Sequence, residues 1–129
     1  MPFEPVPEDV ERVATSVIGA AIEVHKHLGP GFIERIYQEA LGQELQIRHI
    51  PYEHECAVVV RYKGISITGQ RIDLIVDRRL VVELKAAARL DPVHDARVIS
   101  YLRTTGLRLG LLLNFNCSTM KEGVKRIVV

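Results

Sequence analysis

Several features that would place the chain in a specialised class of proteins are absent from its 129 residues. There are only two cysteines and no tryptophan, and the net charge is +1 at pH 7. Cys56 and Cys117 lie far apart and form no Cys-x-x-Cys pattern, so we expect buried free thiols in a reducing cytoplasm. A zinc site formed by Cys56, His54 and Cys117 is the alternative.

Long apolar runs and common phosphate-binding motifs are absent as well. No apolar run approaches the length of a membrane span, and the acidic, proline-rich start does not have the composition of a signal peptide. There is no Gly-x-x-x-x-Gly-Lys phosphate loop and no nucleophile elbow. The small net charge does not indicate a nucleic-acid-binding protein. It does not exclude one either, because an acidic metal site would offset basic residues elsewhere.

The composition that remains is typical of one globular domain. Hydrophobic residues make up 47% of the chain, and a chain of this length buries roughly two thirds of its unfolded surface. We therefore expect a loose N-terminal arm at residues 1–7 and a single domain at residues 8–129.

Hydrophobic periodicity and breaker residues predict three helices and five strands. The helices are expected at about 8–28, 32–48 and 92–105. The strands are expected at about 55–62, 65–75, 80–86, 107–114 and 124–129, the second of them interrupted near Gly69. This order predicts an α/β fold with a mixed β-sheet flanked by helices.

Three charged residues stand inside two of these apolar strands: Asp73, Glu83 and Lys85. Charge is rare in buried strands, because an isolated ion is costly to remove from water. Two acids and a lysine suit a divalent metal ion with an activated water, which is what metal-assisted phosphodiester hydrolysis requires. The alternative interpretation is a structural salt bridge between strand charges.

The register of the predicted hairpin decides whether the two acids meet. Glu83 and Lys85 lie two residues apart and share a face of their strand. A two-residue loop at Arg78-Arg79 would not place Asp73 opposite Glu83, whereas a three-residue loop at 77–79 would. We therefore predict a three-residue turn or a bulge.

Two helices carry further candidate residues. Glu34 and Tyr37 share a face at the start of the second helix, and we expect Tyr37 to contact substrate. Glu34 is either a carboxylate added to the strand acids or an ordinary acid at a helix start. His94, Arg97 and Tyr101 form a stripe on the third helix, which is either a solvated face or a substrate-facing surface suited to phosphate.

The remaining polar groups have simpler interpretations. His25, His27 and His49 stand at helix ends without ligand spacing, so we expect surface or capping residues. The basic stretch from Lys121 to Arg126 is expected to be a solvated face.

The motifs together resemble a known bacterial family named for the pattern Gly-x-x-Glu-x-x-Tyr, which reads Gly31-Phe-Ile-Glu34-Arg-Ile-Tyr37 here. The resemblance covers about residues 8–129. It includes His94 and the segments Asp73-Leu-Ile-Val-Asp, Val82-Glu83-Leu-Lys85-Ala, Tyr101-Leu102 and Gly110-Leu-Leu-Leu-Asn-Phe115. That family is grouped with the PD-(D/E)XK nuclease-like superfamily, so the resemblance implies a restriction-endonuclease-like core.

The resemblance also implies roles for particular residues. Asp73 and Glu83 would bind the metal ion together with the Leu84 carbonyl, Glu34 would be the helical acid, and Lys85 would be the catalytic lysine. Relatives with a Gln-x-x-x-Tyr helix motif would have glutamine at position 97. This chain has Arg97 there, and an arginine cannot accept a hydrogen bond.

The sequence therefore favours a nuclease that acts on DNA or RNA and depends on Mg²⁺ or Mn²⁺ held by Glu34, Asp73 and Glu83. A second hypothesis is a nucleic-acid-binding or protein-binding module that keeps the fold without turnover. A third is a structural charge cluster in a protein of other function. A domain of this length has little room for a recognition module, which a protein partner or a homodimer would supply.

Overall fold

The structure, a computed structural model, describes residues 4–129, and the first three residues of the expected N-terminal arm lie outside that range. The helices are α1 Glu8–Leu28, α2 Glu34–Ile47 and α3 Pro92–Thr105. The strands are β1 Tyr52–Tyr62, β2 Ile65–Val76, β3 Leu80–Lys85, β4 Leu109–Asn114 and β5 Val124–Val128. A 3₁₀ turn, Met120–Gly123, precedes β5. The order of the predicted elements is confirmed, and β1 begins three residues earlier than predicted.

The five strands form one sheet in the order β1-β2-β3-β4-β5. β3 and β4 run parallel, and the other neighbours are antiparallel. Parallel neighbours need a crossover connection, and α3 supplies it between β3 and β4. The predicted mixed sheet flanked by helices is confirmed.

Helices cover both faces of the sheet and define two apolar clusters. One cluster joins α1 and α2 to a face that includes Leu74, Val82 and Leu84. The other joins α3 to the opposite face, through residues such as Val81 and Leu112. All six residues of β4 are buried, as expected of a central strand with both faces covered.

The ends of α3 show how local sequence sets an element. The Asp91 side chain accepts the N3 backbone N–H, the Asp91 N–H donates to His94 Nδ1 at 3.1 Å, and Pro92 occupies the first turn. This capping box satisfies amides that would otherwise lack partners. The helix ends at Gly106, whose φ of 77° suits glycine.

The β2–β3 hairpin has the three-residue turn that the charge pattern predicts. Val76 pairs with Leu80 across a turn at 77–79. The turn contains Asp77 and Arg78 at φ of 50° and 56°. Counting back along this register places Asp73 opposite Glu83, so the prediction is confirmed.

The β1–β2 hairpin is long and irregular at two points. The register shifts at a bulge in β2, where Thr68 and Gly69 together lie opposite Val59 of β1, and Gly69 has a φ of 126°. The interruption expected near Gly69 is therefore a bulge within one strand. At Glu55 the backbone has a φ of 51°, and the alternation of side chains between the two faces of β1 is reversed there. Tyr52 packs on the α1/α2 side, whereas Cys56, which would share its face in a regular strand, packs on the α3 side.

The histidine and cysteine expectations are met only in part. His25 was expected to be a surface or capping residue, and a surface position is wrong: it is 8% exposed, and its Nε2 lies 2.9 Å from the Cys117 carbonyl oxygen. Both cysteines are free, but they are half-buried rather than buried. Within residues 4–129, none of the helices combines the length and hydropathy that a membrane span requires.

Candidate active site

Asp73 and Glu83 lie face to face where the backbone pairing of β2 with β3 stops. The last backbone pair before them is Leu74 with Val82. Beyond it, the Asp73 N–H donates to Glu83 Oε1 at 3.0 Å, and the Leu84 N–H donates to Asp73 Oδ2 at 2.9 Å. The two carboxylates therefore take the place of backbone hydrogen bonds between β2 and β3, and each accepts a backbone N–H of the opposing strand.

Each carboxylate keeps one oxygen for other partners. Among residues 4–129, Asp73 Oδ1 and Glu83 Oε2 accept no hydrogen bond and are not buried. Carboxylate oxygens are the ligands that Mg²⁺ and Mn²⁺ prefer. The pair thus fits a divalent ion as a two-carboxylate site. A larger group of three or more His, Cys, Asp or Glu side chains arranged for a metal does not occur in the described part of the chain.

The electrostatics of the pair favour a bound cation or a bound proton. Glu83 is 4% exposed. Burial, and then the Asp73 charge, raise its pKa from 4.5 to about 7. Burial raises the pKa of Asp73, and the charge of Glu34 raises it further. The hydrogen bond from the Leu84 amide and the charge of Lys85 lower the pKa, but they do not cancel the rise. Two neighbouring carboxylates that are shielded from water are difficult to ionise together, because their negative charges repel, so one of them tends to hold a proton. A bound cation can neutralise the pair in place of that proton.

Lys85 and Glu34 form an ion pair beside the carboxylates. Lys85 Nζ lies 3.7 Å from Glu34 Oε1, with the lysine side chain 15% exposed and the glutamate side chain 47% exposed. Glu34 is therefore paired with the lysine, and its charge also acts on Asp73. Burial raises the pKa of Asp73 and of Glu83, and the positive charge of Lys85 opposes that rise for both acids.

Glu55 is a site residue that sequence analysis missed. The register of β1 with β2 pairs His54 with Leu74 and Cys56 with Ile72, which places Glu55 opposite Asp73. Its Oε1 accepts a hydrogen bond from Gln38 Nε2 of α2 at 2.9 Å. In sequence, Glu55 looks like an ordinary strand residue. In the structure its φ is positive, its carboxylate is hydrogen bonded to α2, and its charge acts on Asp73.

Asn114 is a second such residue, and it holds the chain that follows Lys85. Its Oδ1 accepts the Ala87 N–H at 3.1 Å and the Asn116 N–H at 3.2 Å, and its Nδ2 donates to the Ala87 carbonyl at 3.0 Å. Asn114 also pairs with Lys85 in the β3–β4 register. A polar residue at the end of an apolar strand was the signal in the sequence.

Tyr37 was assigned to substrate contact, and the structure gives it an interior position. Its side chain is fully buried and its ring stacks on Phe115 with 4.5 Å between centroids. Its hydroxyl donates to the Gly29 carbonyl at 2.6 Å and accepts the Phe32 N–H at 3.1 Å. Tyr37 thereby holds the turn that delivers Glu34, and we leave it out of the proposed substrate surface.

The stripe on α3 divides into three separate roles. His94 belongs to the capping box. Tyr101 is buried, and its hydroxyl donates to the Arg71 carbonyl at 3.2 Å, just before Asp73. Arg97 is half-buried, and its charge opposes the rise that burial causes in the pKa of Glu83.

A mixed sheet flanked by helices, with an Asp on one strand and Glu-x-Lys on the next, defines the restriction-endonuclease-like class of folds. A family model described as PD-(D/E)XK nuclease superfamily matches residues 11–127. The chain belongs to that superfamily. Searches of curated proteins and of solved structures gave no significant match.

Proposed function

We propose that this protein is a nuclease that depends on a divalent metal ion and hydrolyses phosphodiester bonds in DNA or RNA. The observation that carries the proposal is the pair of facing carboxylates, Asp73 and Glu83, each with one oxygen held by an amide and one oxygen free. Superfamily membership supports it, since nucleases of this superfamily generally use divalent metals. Within the superfamily we assign the chain to the bacterial GxxExxY family and to the cytoplasm.

The chain's own residues have distinct roles in this proposal. Asp73 and Glu83 would hold Mg²⁺ or Mn²⁺, with the Leu84 carbonyl as a further ligand. When bound, the ion supplies Lewis acidity and lowers the pKa of a water molecule. The Lys85 ammonium stabilises negative charge on the reacting phosphate, and Glu34 holds Lys85 in position before substrate arrives. Arg97 on α3, whose charge acts on Glu83, would contact the phosphate from that side.

A non-catalytic binding module is the second candidate function. The described residues contain no metal group with three or more His, Cys, Asp or Glu side chains, and Arg97 stands where the resemblance implies a glutamine, which could accept a hydrogen bond. These two observations favour a domain that binds nucleic acid, or a protein partner, without cleaving it. A homodimer or a partner protein would then be part of the working unit.

Calorimetric Mn²⁺ binding tests the metal site without a guess about substrate. We expect the parent protein to bind Mn²⁺ and Asp73→Asn to lose binding, because the asparagine keeps the shape but not the charge. Glu53→Gln is the matched control on the neighbouring strand, since Glu53 is exposed, and it should bind as the parent does. Equal binding by Asp73→Asn and the parent would exclude this site.

Cleavage assays then separate the two candidate functions. With DNA and RNA in single-stranded and duplex forms, we expect metal-dependent cleavage by the parent and none by Lys85→Ala, which should still bind Mn²⁺. Nucleic-acid binding without cleavage under every metal tried would favour the binding module. An unchanged rate in Lys85→Ala would remove the catalytic role of the lysine.

A further inference from the structure

The far part of the β1–β2 hairpin, residues 56–72, projects beyond the carboxylate site, and we refer to it as the ribbon. From residue 59 to residue 71 every residue is exposed, and no part of this stretch belongs to either core cluster. A two-stranded ribbon without a covering layer is only marginally stable in water. The long, exposed ribbon is therefore a candidate surface for binding a partner.

Charge is distributed unevenly between the ribbon and the rest of the chain. The ribbon has three cationic residues, Arg61, Lys63 and Arg71, and no acid, which leaves 14 Lys and Arg against 16 Asp and Glu elsewhere. The small net charge of the protein thus conceals a basic ribbon on an acidic body. A local excess of positive charge is the electrostatic feature by which proteins attract nucleic acid.

Strand register separates the ribbon into two faces. Ala57 pairs with Arg71, and Arg61 pairs with Ser66, so these four residues share one face, the basic face. Arg61 Nη1 lies 3.2 Å from Ser66 Oγ, which orients the guanidinium across the ribbon. Lys63 stands at the tip.

The opposite face is apolar. Val60 pairs with Ile67 and Tyr62 pairs with Ile65, which places these four side chains together. Each is between 45% and 58% exposed. The ribbon is therefore amphipathic, and its two faces would take different partners.

The basic face leads directly to the proposed active site. Arg71 lies two residues before Asp73 along β2, and Tyr101 holds the Arg71 carbonyl at 3.2 Å. A polyanion lying along Arg61 and Arg71 would thus reach the two carboxylates at the base of the ribbon. This continuity and the charge excess favour nucleic acid over a protein partner.

We infer that the basic face of the ribbon binds the backbone of duplex DNA and guides it to Asp73 and Glu83, an inference that rests on the proposed function. The major groove of B-DNA is about 12 Å wide and admits a two-stranded β-ribbon. The major groove of A-form RNA is too narrow for side chains to enter. Arg61 and Arg71 contact phosphates on the basic face, and Lys63 does so at the tip.

Salt-dependent DNA binding by two matched variants tests the inference. Fluorescence anisotropy with a labelled DNA duplex is measured in an Asp73→Asn background, which removes cleavage. The basic-face variant combines Arg61→Gln, Lys63→Gln and Arg71→Gln. We expect its affinity to fall by at least about tenfold and the slope of log K against log salt to decrease by about 3, roughly one per lost phosphate contact.

The apolar-face variant combines Ile65→Thr and Ile67→Thr and should bind DNA as the background protein does. Thermal melts confirm that both variants are folded. Unchanged affinity and slope in the basic-face variant would overturn the inference. So would a loss of binding in the apolar-face variant that coincides with dissociation of a dimer, because the ribbon would then be a self-association surface.

Two further comparisons separate this inference from the proposed function. Tighter binding of RNA duplex or single strands, through the same three cations, would overturn the choice of duplex DNA. If the protein with Asp73 intact cleaves DNA and the basic-face variant cleaves and binds equally well, the ribbon inference fails and the nuclease stands. If nothing is cleaved yet the basic-face variant loses affinity, the ribbon inference stands and the nuclease fails.

Discussion

The two ends of the β1–β2 hairpin belong to the same two strands but have opposite surroundings. Near the body of the protein, Leu74 and Val76 are buried under α1 and α2, and Asp73 lies among them. Beyond residue 58 the same two strands are exposed, and the charges there are positive. Burial at the base strengthens the repulsion between the carboxylates and their attraction for cations. Exposure leaves the arginines of the ribbon hydrated and accessible to phosphate groups.

The largest contrast is expected from truncating one apolar side chain at each end of β2. Leu74→Ala should cost about 2–5 kcal/mol of unfolding free energy, because it leaves a cavity in the core. Ile67→Ala should cost less than about 1 kcal/mol, because that side chain is 46% exposed, against 1% for Leu74. Urea denaturation measures both values. Equal losses would mean that the ribbon has a covering layer.

Removing the charge of Glu83 is expected to stabilise the protein at high pH. Its pKa is about 7 when folded and 4.5 ordinarily, so the folded state holds the extra proton between these values. The free energy of unfolding therefore falls as pH rises from about 4.5 to 7. Glu83→Gln should be more stable than the parent by up to about 3 kcal/mol at pH 8, since each pKa unit is worth about 1.4 kcal/mol.

The advantage of Glu83→Gln should disappear near pH 4.5, where the parent is protonated as well. Glu53→Gln provides the control for removing one exposed carboxylate, and it should show little effect at either pH. Thermal melts across this pH range give the comparison. A variant that is less stable than the parent at pH 8 would contradict the raised pKa of Glu83.

Tyr101→Phe tests the boundary between the two ends of the hairpin. The substitution removes the hydrogen bond from the hydroxyl to the Arg71 carbonyl and should cost about 1 kcal/mol. Tyr62→Phe is the matched control in the ribbon, because that tyrosine is 57% exposed. Denaturation curves that shift equally for both variants would show that the hydroxyl of Tyr101 does not stabilise the boundary.

The smallest effect on stability is expected from the ribbon cations. Arg61→Gln with Arg71→Gln should change the unfolding free energy by less than about 0.5 kcal/mol, because both side chains are exposed. A loss above about 1 kcal/mol would show that these charges support the fold. Stability that is unchanged, together with weaker DNA binding, would separate the role of the ribbon from folding.

Much of the fold follows from local signals in the chain. The breaker Gly29-Pro30-Gly31, the Asp91-Pro92 start and the apolar run of β4 place their elements close to where the structure has them. The facing of Asp73 and Glu83 also follows from sequence, because strand alternation and turn length together determine register. The roles of His25 and Tyr37 did not follow, since burial depends on residues distant in the chain.

The sequence by itself determined the order of helices and strands, the three-residue turn and the neighbouring carboxylates. Those features depend on contacts that are local in sequence, such as periodicity, capping and turn geometry. Only the tertiary structure decided that Glu55 joins the site, that Asn114 holds the segment after Lys85, and that the basic residues gather on one face of an exposed ribbon. Each of these depends on a pairing between distant segments, which a local pattern does not specify.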